Sequence, residues 1–234
     1  MREQAPEMRS TRVFEGLTRE LIAMRAAREL KDGSYVNLGI GIPTMVTNWI
    51  EGRDIVTQAE IGMLKTGPLA MEGEVDQDLI NASCEPVTAY PGASYFDIVE
   101  SMNMIRGGHV DVAILGALQV AENGDYAGWV NPERGFPPGV GNVGGSMDLA
   151  VGAKRVIVTM DHTANGRPKI LRRCTYPLTA KGVVNLIITN LAVMEVVQDR
   201  LWLKEVYPGL TPADVQSVTE AHLHISPNLR DMEL

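Results

Sequence analysis

The chain has 234 residues, 45% of them hydrophobic and 21% charged, which excludes disordered and fibrous classes and suffices for a substantial buried core. A formal net charge of −8 and a pI near 5.1 exclude a global positive field that would hold nucleic acid or an anionic membrane surface. Cys84 and Cys174 are the two cysteines, far apart and outside any C-x-x-C spacing, which argues against a disulfide scaffold or zinc site and fits a reducing compartment. The first residues lack an apolar targeting segment, and no run approaches the ~20 apolar residues of a membrane helix. The expectation is a soluble cytoplasmic protein with no nucleic acid or membrane partner.

In chain order, residues 1–14 lack periodicity and read as a flexible arm, leaving 15–234 as a single domain. Thr18 is placed to cap a helix with Leu17, Leu21, Met24 and Leu30 near one face, stopped at Asp32-Gly33. Tyr35-Val36-Asn37-Leu38 reads as a short strand entering the glycine turn Gly39-Ile40-Gly41, with Pro43 early in a helix expected over 44–50. The β-branched run Ile55-Val56-Thr57 predicts the next strand, and Gly67-Pro68 is expected to stop regular structure after it. An acidic loop, 68–81, follows. A strand over 86–90 is expected to close at Pro91-Gly92. Ser94 with Asp97 then looks like a capping box for a helix carrying Phe96, Val99, Met102 and Ile105 and ending at Gly107-Gly108.

Residues 109–115 form an apolar run of the kind buried on both faces of a parallel sheet. Glu122-Asn123-Gly124-Asp125 is a hairpin turn, 126–130 a short strand, and 131–145 a Gly- and Pro-rich segment. Residues 146–153 read as a helix, 155–160 and 183–188 as buried strands, and Thr211-Pro212 opens a last helix. Arg167, Lys169, Arg172 and Arg173 make a basic patch, read mainly as a solvated face. The alternation implies an α/β fold with an open, mainly parallel sheet and flanking helices.

Within this frame Glu60 stands at the end of the 55–57 strand, with Gly62 allowing a sharp turn. In open α/β sheets the ligand crevice lies outside the carboxyl ends of the strands, so this acid is a candidate for chemistry. Position alone favours a solvated loop glutamate. Gly139-Val140-Gly141-Asn142-Val143-Gly144 matches G-x-G-x-x-G, but no strand directly precedes it, so a pyrophosphate would not meet a helix N-terminus in the usual way. His222 and His224 would share a strand face but lack a third ligand, and no metal site is expected. Gly144-Gly145, before a helix, can turn successive backbone N–H groups into a concavity suited to an oxyanion or carboxylate. Taken alone, they favour a plain turn into that helix.

Asn37-Leu38-Gly39-Ile40-Gly41-Ile42-Pro43-Thr44, Gln58-x-Glu60-x-Gly62, Pro91-Gly92-Ala93-Ser94, Ile105-Arg106-Gly107-Gly108-His109-Val110-Asp111, Gly144-Gly145-Ser146-Met147-Asp148-Leu149 and Cys174-Thr175-x-Pro177-Leu178-Thr179 occur in this order. Together they resemble the β (B) subunit of the 3-oxoacid CoA-transferases, a group that includes acetate/acetoacetate, succinyl-CoA and 3-oxoadipate enzymes. The resemblance implies the CoA-transferase-like α/β fold. It implies Glu60 as a nucleophile that forms an acyl-glutamyl anhydride and then a glutamyl-CoA thioester. It further implies oxyanion or substrate contacts at Gly144, Gly145, Gly39 and Gly41, and coenzyme A and acyl-CoA as substrates, with no permanently bound cofactor. An α (A) partner subunit, as α2β2, and a small carboxylic acid acceptor complete the expectation.

Two departures stand out. The family commonly reads Ser-Glu-Asn-Gly at the nucleophile, where this chain has Ala59-Glu60-Ile61-Gly62. Asn142 replaces the first glycine of its G-x-G-G turn. Two other readings keep the fold: an acyl-CoA hydrolase using the same glutamate, and a non-catalytic ligand-sensing subunit.

Overall fold

A computed structural model describes residues 14–81, 84–134, 139–140 and 144–234; the expected N-terminal arm, apart from Phe14, and Asn142 lie outside them. Ten strands form the main sheet: β1 (Tyr35–Leu38), β2 (Val56–Ala59), β3 (Met63–Leu69), β4 (Val87–Tyr95), β5 (Val112–Gly116), β6 (Arg155–Met160), β7 (Val184–Thr189), β8 (Ala192–Val197), β9 (Arg200–Val206) and β10 (Leu223–Asp231). Their spatial order is β10-β9-β8-β7-β6-β5-β1-β2-β3-β4. The centre, from β7 across to β2, is parallel. β8 and β9 extend one side antiparallel, and β3 and β4 the other.

The two faces follow from period-2 alternation. Val112 and Ile114 of β5 pack with Val36 and Leu38 of β1 under helix α1 (Arg19–Ala27) and a 3₁₀ segment, Ile42–Trp49. Ala113 and Leu115 face the opposite core, beneath α2 (Ile98–Arg106) and α3 (Ser146–Gly152). Asn37, between Val36 and Leu38, therefore points to the α2/α3 side. The chain leaves β1 to build β2 on one flank and later returns β5 to the other, a reversal that opens a crevice at the carboxyl ends of these strands.

Several expectations need correction. Gly67-Pro68 does not end regular structure: it lies inside β3, where the register to β4 shifts on either side of Thr66 and a bulge absorbs the missing proline donor. Pro91-Gly92 likewise sits within β4, an edge strand whose outer side has no ladder to interrupt. Ser94 belongs to that strand, and Asp97 alone caps α2 by accepting from Glu100 N at 2.8 Å. The buried face of α2 is Ser101 and Ile105, while Val99 is exposed.

Helix α1 stops at Ala27 and not at Asp32-Gly33, because the Arg53 guanidinium takes the freed carbonyls of Ala27 and Leu30 at 3.0 and 2.8 Å. Its buried face is Ile22, Ala23, Arg25, Ala26 and Ala27; the alanines let the helix lie close to the sheet. Thr18 does cap it. The helix opened by Thr211, α4 (Pro212–Ser217), is followed by β10, an edge strand whose mixed polarity carries no strand signal. No described helix is long and apolar enough to cross a membrane.

Candidate active site

β2 ends at Ala59, and the next three residues reverse the chain so that Met63 of β3 pairs with Ala59. The Gly62 amide donates to Ala59 O at 3.0 Å and its carbonyl accepts from Phe96 N at 3.0 Å. Gly62 has φ +130°, and a β-carbon there would collide with the Phe96 carbonyl oxygen, so only glycine fits. This tight reversal leaves Glu60 half-buried at the strand end and Ile61 half-exposed beside it.

Gln58 and Glu60, two residues apart, project to the face that holds Asn37. Asn37 Nδ2 lies 3.2 Å from Glu60 Oε2, 3.0 Å from the Gln58 carbonyl oxygen and 3.2 Å from Gln58 Oε1. Gln58 Nε2 in turn reaches Ser101 of α2, 3.1 Å from Oγ and 3.5 Å from its carbonyl oxygen. Asn37, Gln58 and Ser101 are buried.

From the other side Gly145 closes on the glutamate. It caps α3 in the left-handed region, φ +74°, and a β-carbon added to it would lie 3.0 Å from Glu60 Cγ and 3.5 Å from Met102 Cε. An Arg106–Asp148 ion pair of 2.7 Å ties α2 to α3. Gly144 precedes Gly145 and is exposed. Gly39 and Gly41 lie on the β1 turn. The Gly39 amide is donated to Ile114 O at 2.9 Å, and Gly41, at φ +87°, lines a cavity of about 480 Å³. That cavity, walled also by Ile40, Thr57, Ala59 and Thr66, lies between the 3₁₀ segment and β2–β3. The structure thus brings Glu60 and Gly145 into contact, and places Gly39 and Gly41 along the neighbouring strand end.

Sequence reasoning did not assign roles to Asn37, Gln58 or Ser101. The available signal was a polar residue in the middle of a strand whose neighbours are apolar.

Among the described residues the other titratable groups do not build a second centre. Among the described residues no group of three or more His, Cys, Asp or Glu side chains could hold a metal. The His222 and His224 rings meet edge-on at 4.8 Å, with His224 against Trp202. Burial, with Asp125 nearby, pushes the Cys174 thiol up to about 12, so it is not a thiolate nucleophile at neutral pH. In the basic patch Arg172 and Arg173 are exposed and Arg167 pairs with Glu133 at 3.0 Å. Lys169 is partly buried, which lowers its pKa to about 8. Residues 141–143 of the G-x-G-x-x-G match lie outside the described residues.

Comparison with known proteins places the chain in a family. The family model "Coenzyme A transferase" matches residues 19–217. The chain is 48% identical over 208 residues to the β-type subunit of the succinyl-CoA:3-ketoacid coenzyme A transferase of Helicobacter pylori (strain ATCC 700392 / 26695), covering 88% of this chain and 99% of that one. It is 44% identical over 213 residues to the β subunit of the acetate CoA-transferase of Escherichia coli (strain K12), covering 90% and 95%. Among solved structures, the thioester complex with CoA of the acyl-CoA transferase YdiF from E. coli O157:H7 superposes with a TM-score of 0.72 at 20% identity. That alignment covers 96% of this chain but only 44% of the other, so this chain spans less than half of that polypeptide. The chain belongs to the coenzyme A transferase family, as a β-type subunit.

Proposed function

We propose that this chain is the nucleophile-bearing subunit of a two-chain enzyme that moves CoA between an acyl-CoA and a (3-oxo)carboxylic acid through a glutamyl-CoA thioester on Glu60. The observation that carries this reading is the placement of Glu60. It is a half-buried carboxylate on a rigid strand-end reversal, with Asn37 donating to one oxygen and Gly145 against its side chain. A carboxylate ionised at neutral pH needs no general base to attack.

In this mechanism a Glu60 oxygen attacks the thioester carbonyl, the C–S bond breaks, and CoA thiolate leaves behind an acyl-glutamyl anhydride. The thiolate then attacks Glu60 Cδ and expels the donor acid as its carboxylate, leaving Glu60 as a thioester of CoA. The acceptor carboxylate attacks Cδ, releasing thiolate and forming a second anhydride. Attack of thiolate on its acyl carbonyl yields the new acyl-CoA and restores the Glu60 carboxylate. No proton or water is consumed. Each tetrahedral oxyanion calls for fixed donors, and the backbone amides of Gly144 and Gly145 are our candidates, with Gly39 and Gly41 shaping the substrate approach. The long CoA arm supplies binding energy that can be used at the thioester.

The relatives are named as one of two kinds of subunit, the β type, which supports an α partner subunit here; we place the two in an α2β2 assembly. Their names differ in substrate, so the acyl donor and acceptor here are given as a class: short acyl-CoAs and small, 3-oxo or simple, carboxylic acids. The two free thiols support a reducing compartment such as the cytoplasm.

The test is exchange of labelled carboxylic acid into acyl-CoA by the chain purified with its α partner. Acid-dependent exchange that is lost in Glu60→Gln supports the reading. Consumption of acyl-CoA without an acceptor would make the enzyme a hydrolase, and full exchange by Glu60→Gln would remove the glutamate from the chemistry.

A further inference from the structure

We infer that Ser101, Gln58 and Asn37 form a buried orientation relay that fixes which way the Glu60 carboxylate presents itself. This inference rests on the reading of Glu60 as nucleophile. Asn37 is the catalytic member, because it touches the reacting carboxylate at Oε2, and Gln58 and Ser101 are positioning residues.

The direction of each amide follows from acceptors that cannot donate. The Ser101 carbonyl oxygen, 3.5 Å from Gln58 Nε2, and Ser101 Oγ, 3.1 Å away, select the NH₂ end of Gln58 on that side. A backbone carbonyl has no proton to offer an amide oxygen. Gln58 Oε1 is thereby turned toward Asn37. Asn37 then faces three oxygens at 3.0–3.2 Å: the Gln58 carbonyl, Gln58 Oε1 and Glu60 Oε2. Flipping Asn37 would set its own oxygen against all three, so Nδ2 must point there.

The arrangement also carries a cost. Asn37 Oδ1 is buried with no partner among the described residues, and the side chain is fully buried. An orphaned buried acceptor loses its hydration with no hydrogen bond in return, which destabilises the fold. An apolar residue of similar shape, such as leucine, would avoid that penalty in a strand that is otherwise core. What asparagine provides in exchange is an N–H on Glu60 Oε2. With Oε2 held, the carboxylate is restrained in rotation and Oε1 is left as the attacking oxygen. Ser101 acts at a distance: its side chain bonds Gln58 and not Glu60, and it does not line the cavity, yet it sets Gln58, which sets Asn37.

The experiment is a double-mutant cycle on the complex with the α partner, reading kcat and KM for acyl-CoA. Ser101→Ala is expected to lower kcat about fivefold and Asn37→Leu about thirtyfold, the scale of neutral and charge-assisted hydrogen bonds respectively. KM and complex assembly should stay unchanged. Once Asn37→Leu has cut the last link, adding Ser101→Ala should change kcat less than about twofold, since the two act through one chain. If Asn37→Leu does not assemble, Asn37→Ser, whose hydroxyl falls short of Glu60, takes its place in the cycle. The same fivefold loss from Ser101→Ala in both backgrounds, or wild-type kcat in Ser101→Ala alone, would overturn the relay. Glu60→Gln separates the two ideas. An inactive Glu60→Gln with an additive cycle removes only the relay, whereas an active Glu60→Gln removes the nucleophile on which it rests.

Discussion

A β-carbon on Gly145 would lie 3.0 Å from Cγ of Glu60, so these two residues share a boundary at which a methyl group fits only if Glu60 gives way by a few tenths of an ångström. Gly145 also holds φ +74°, where an L side chain adds about 1 kcal/mol of strain. Gly145→Ala is expected to shift Glu60 slightly and lower kcat about tenfold, less than the roughly hundredfold loss that ~1 Å of misplacement brings. The complex should still assemble. Steady-state kinetics beside a thermal melt check this; wild-type kcat would mean that the contact is slack.

Ile61, half-exposed beside the nucleophile, is an apolar wall where the family commonly has asparagine. Ile61→Asn should shift selectivity toward acceptors whose 3-oxo group can take a hydrogen bond. The ratio of kcat/KM for acetoacetate over acetate should rise about tenfold, within the range a single pocket contact can give. An unchanged ratio would place Ile61 outside the acyl pocket.

Glu205 is buried between Arg25, at 2.8 and 2.9 Å, and Arg230, at 2.7 Å. Burial opposes its charge, but hydrogen bonds from Arg25 and then Arg230 outweigh this and hold its pKa below the ordinary carboxylate value. Glu29, bonded by Arg155 and Arg25 against the same burial, is lowered too. Both contribute stability that is present above the unfolded carboxylate pKa, near 4.3, and is lost as pH falls through their folded values. Glu205→Ala leaves Arg25 buried without its main partner and should cost about 3–5 kcal/mol, read as a lower Tm with KM intact in the surviving complex. A shift within error would contradict this.

His162 contributes in a different window. It is buried between Thr189 Oγ1 and Thr219 Oγ1 at 2.9 and 2.8 Å, and burial, aided by the charge of Lys169, pushes its pKa down to about 3. The unfolded chain takes up this proton near pH 6.5. Between these values the unfolded state binds more protons, so stability falls with falling pH by up to about 1.4 kcal/mol per pH unit. His162→Gln should flatten the decline in Tm between about pH 6.5 and pH 5, where the buried carboxylates are still ionised. An equal decline in both proteins would place the sensitivity elsewhere.

How much could be read beforehand depended on whether a signal was local. The strands Tyr35–Leu38 and Arg155–Met160 are largely apolar runs, and burial on both faces dictates such runs. The position of Glu60 at a strand end was legible for the same reason, with Gly62 marking the turn. Pro91-Gly92 and Gly67-Pro68 misled, because proline and glycine punctuate chains in general but are tolerated on edge strands and at bulges. β10 escaped because much of it faces water. Asn37, Gln58 and Ser101 lie on three separate elements, and only tertiary pairing brings them onto one face. The contact of Gly145 with Glu60 likewise spans the sheet and α3, so sequence could mark each glycine and acid but not their adjacency.

The central claim is that Glu60 carries CoA covalently, and intact mass tests it most directly. The chain, in complex with its α partner, is incubated with acetoacetyl-CoA and then treated with borohydride. The account predicts a CoA-sized gain in mass on this chain before reduction. After reduction the gain should disappear, with residue 60 recovered as the corresponding alcohol. Transfer activity in the absence of any adduct, or an adduct mapped to another residue, would contradict it.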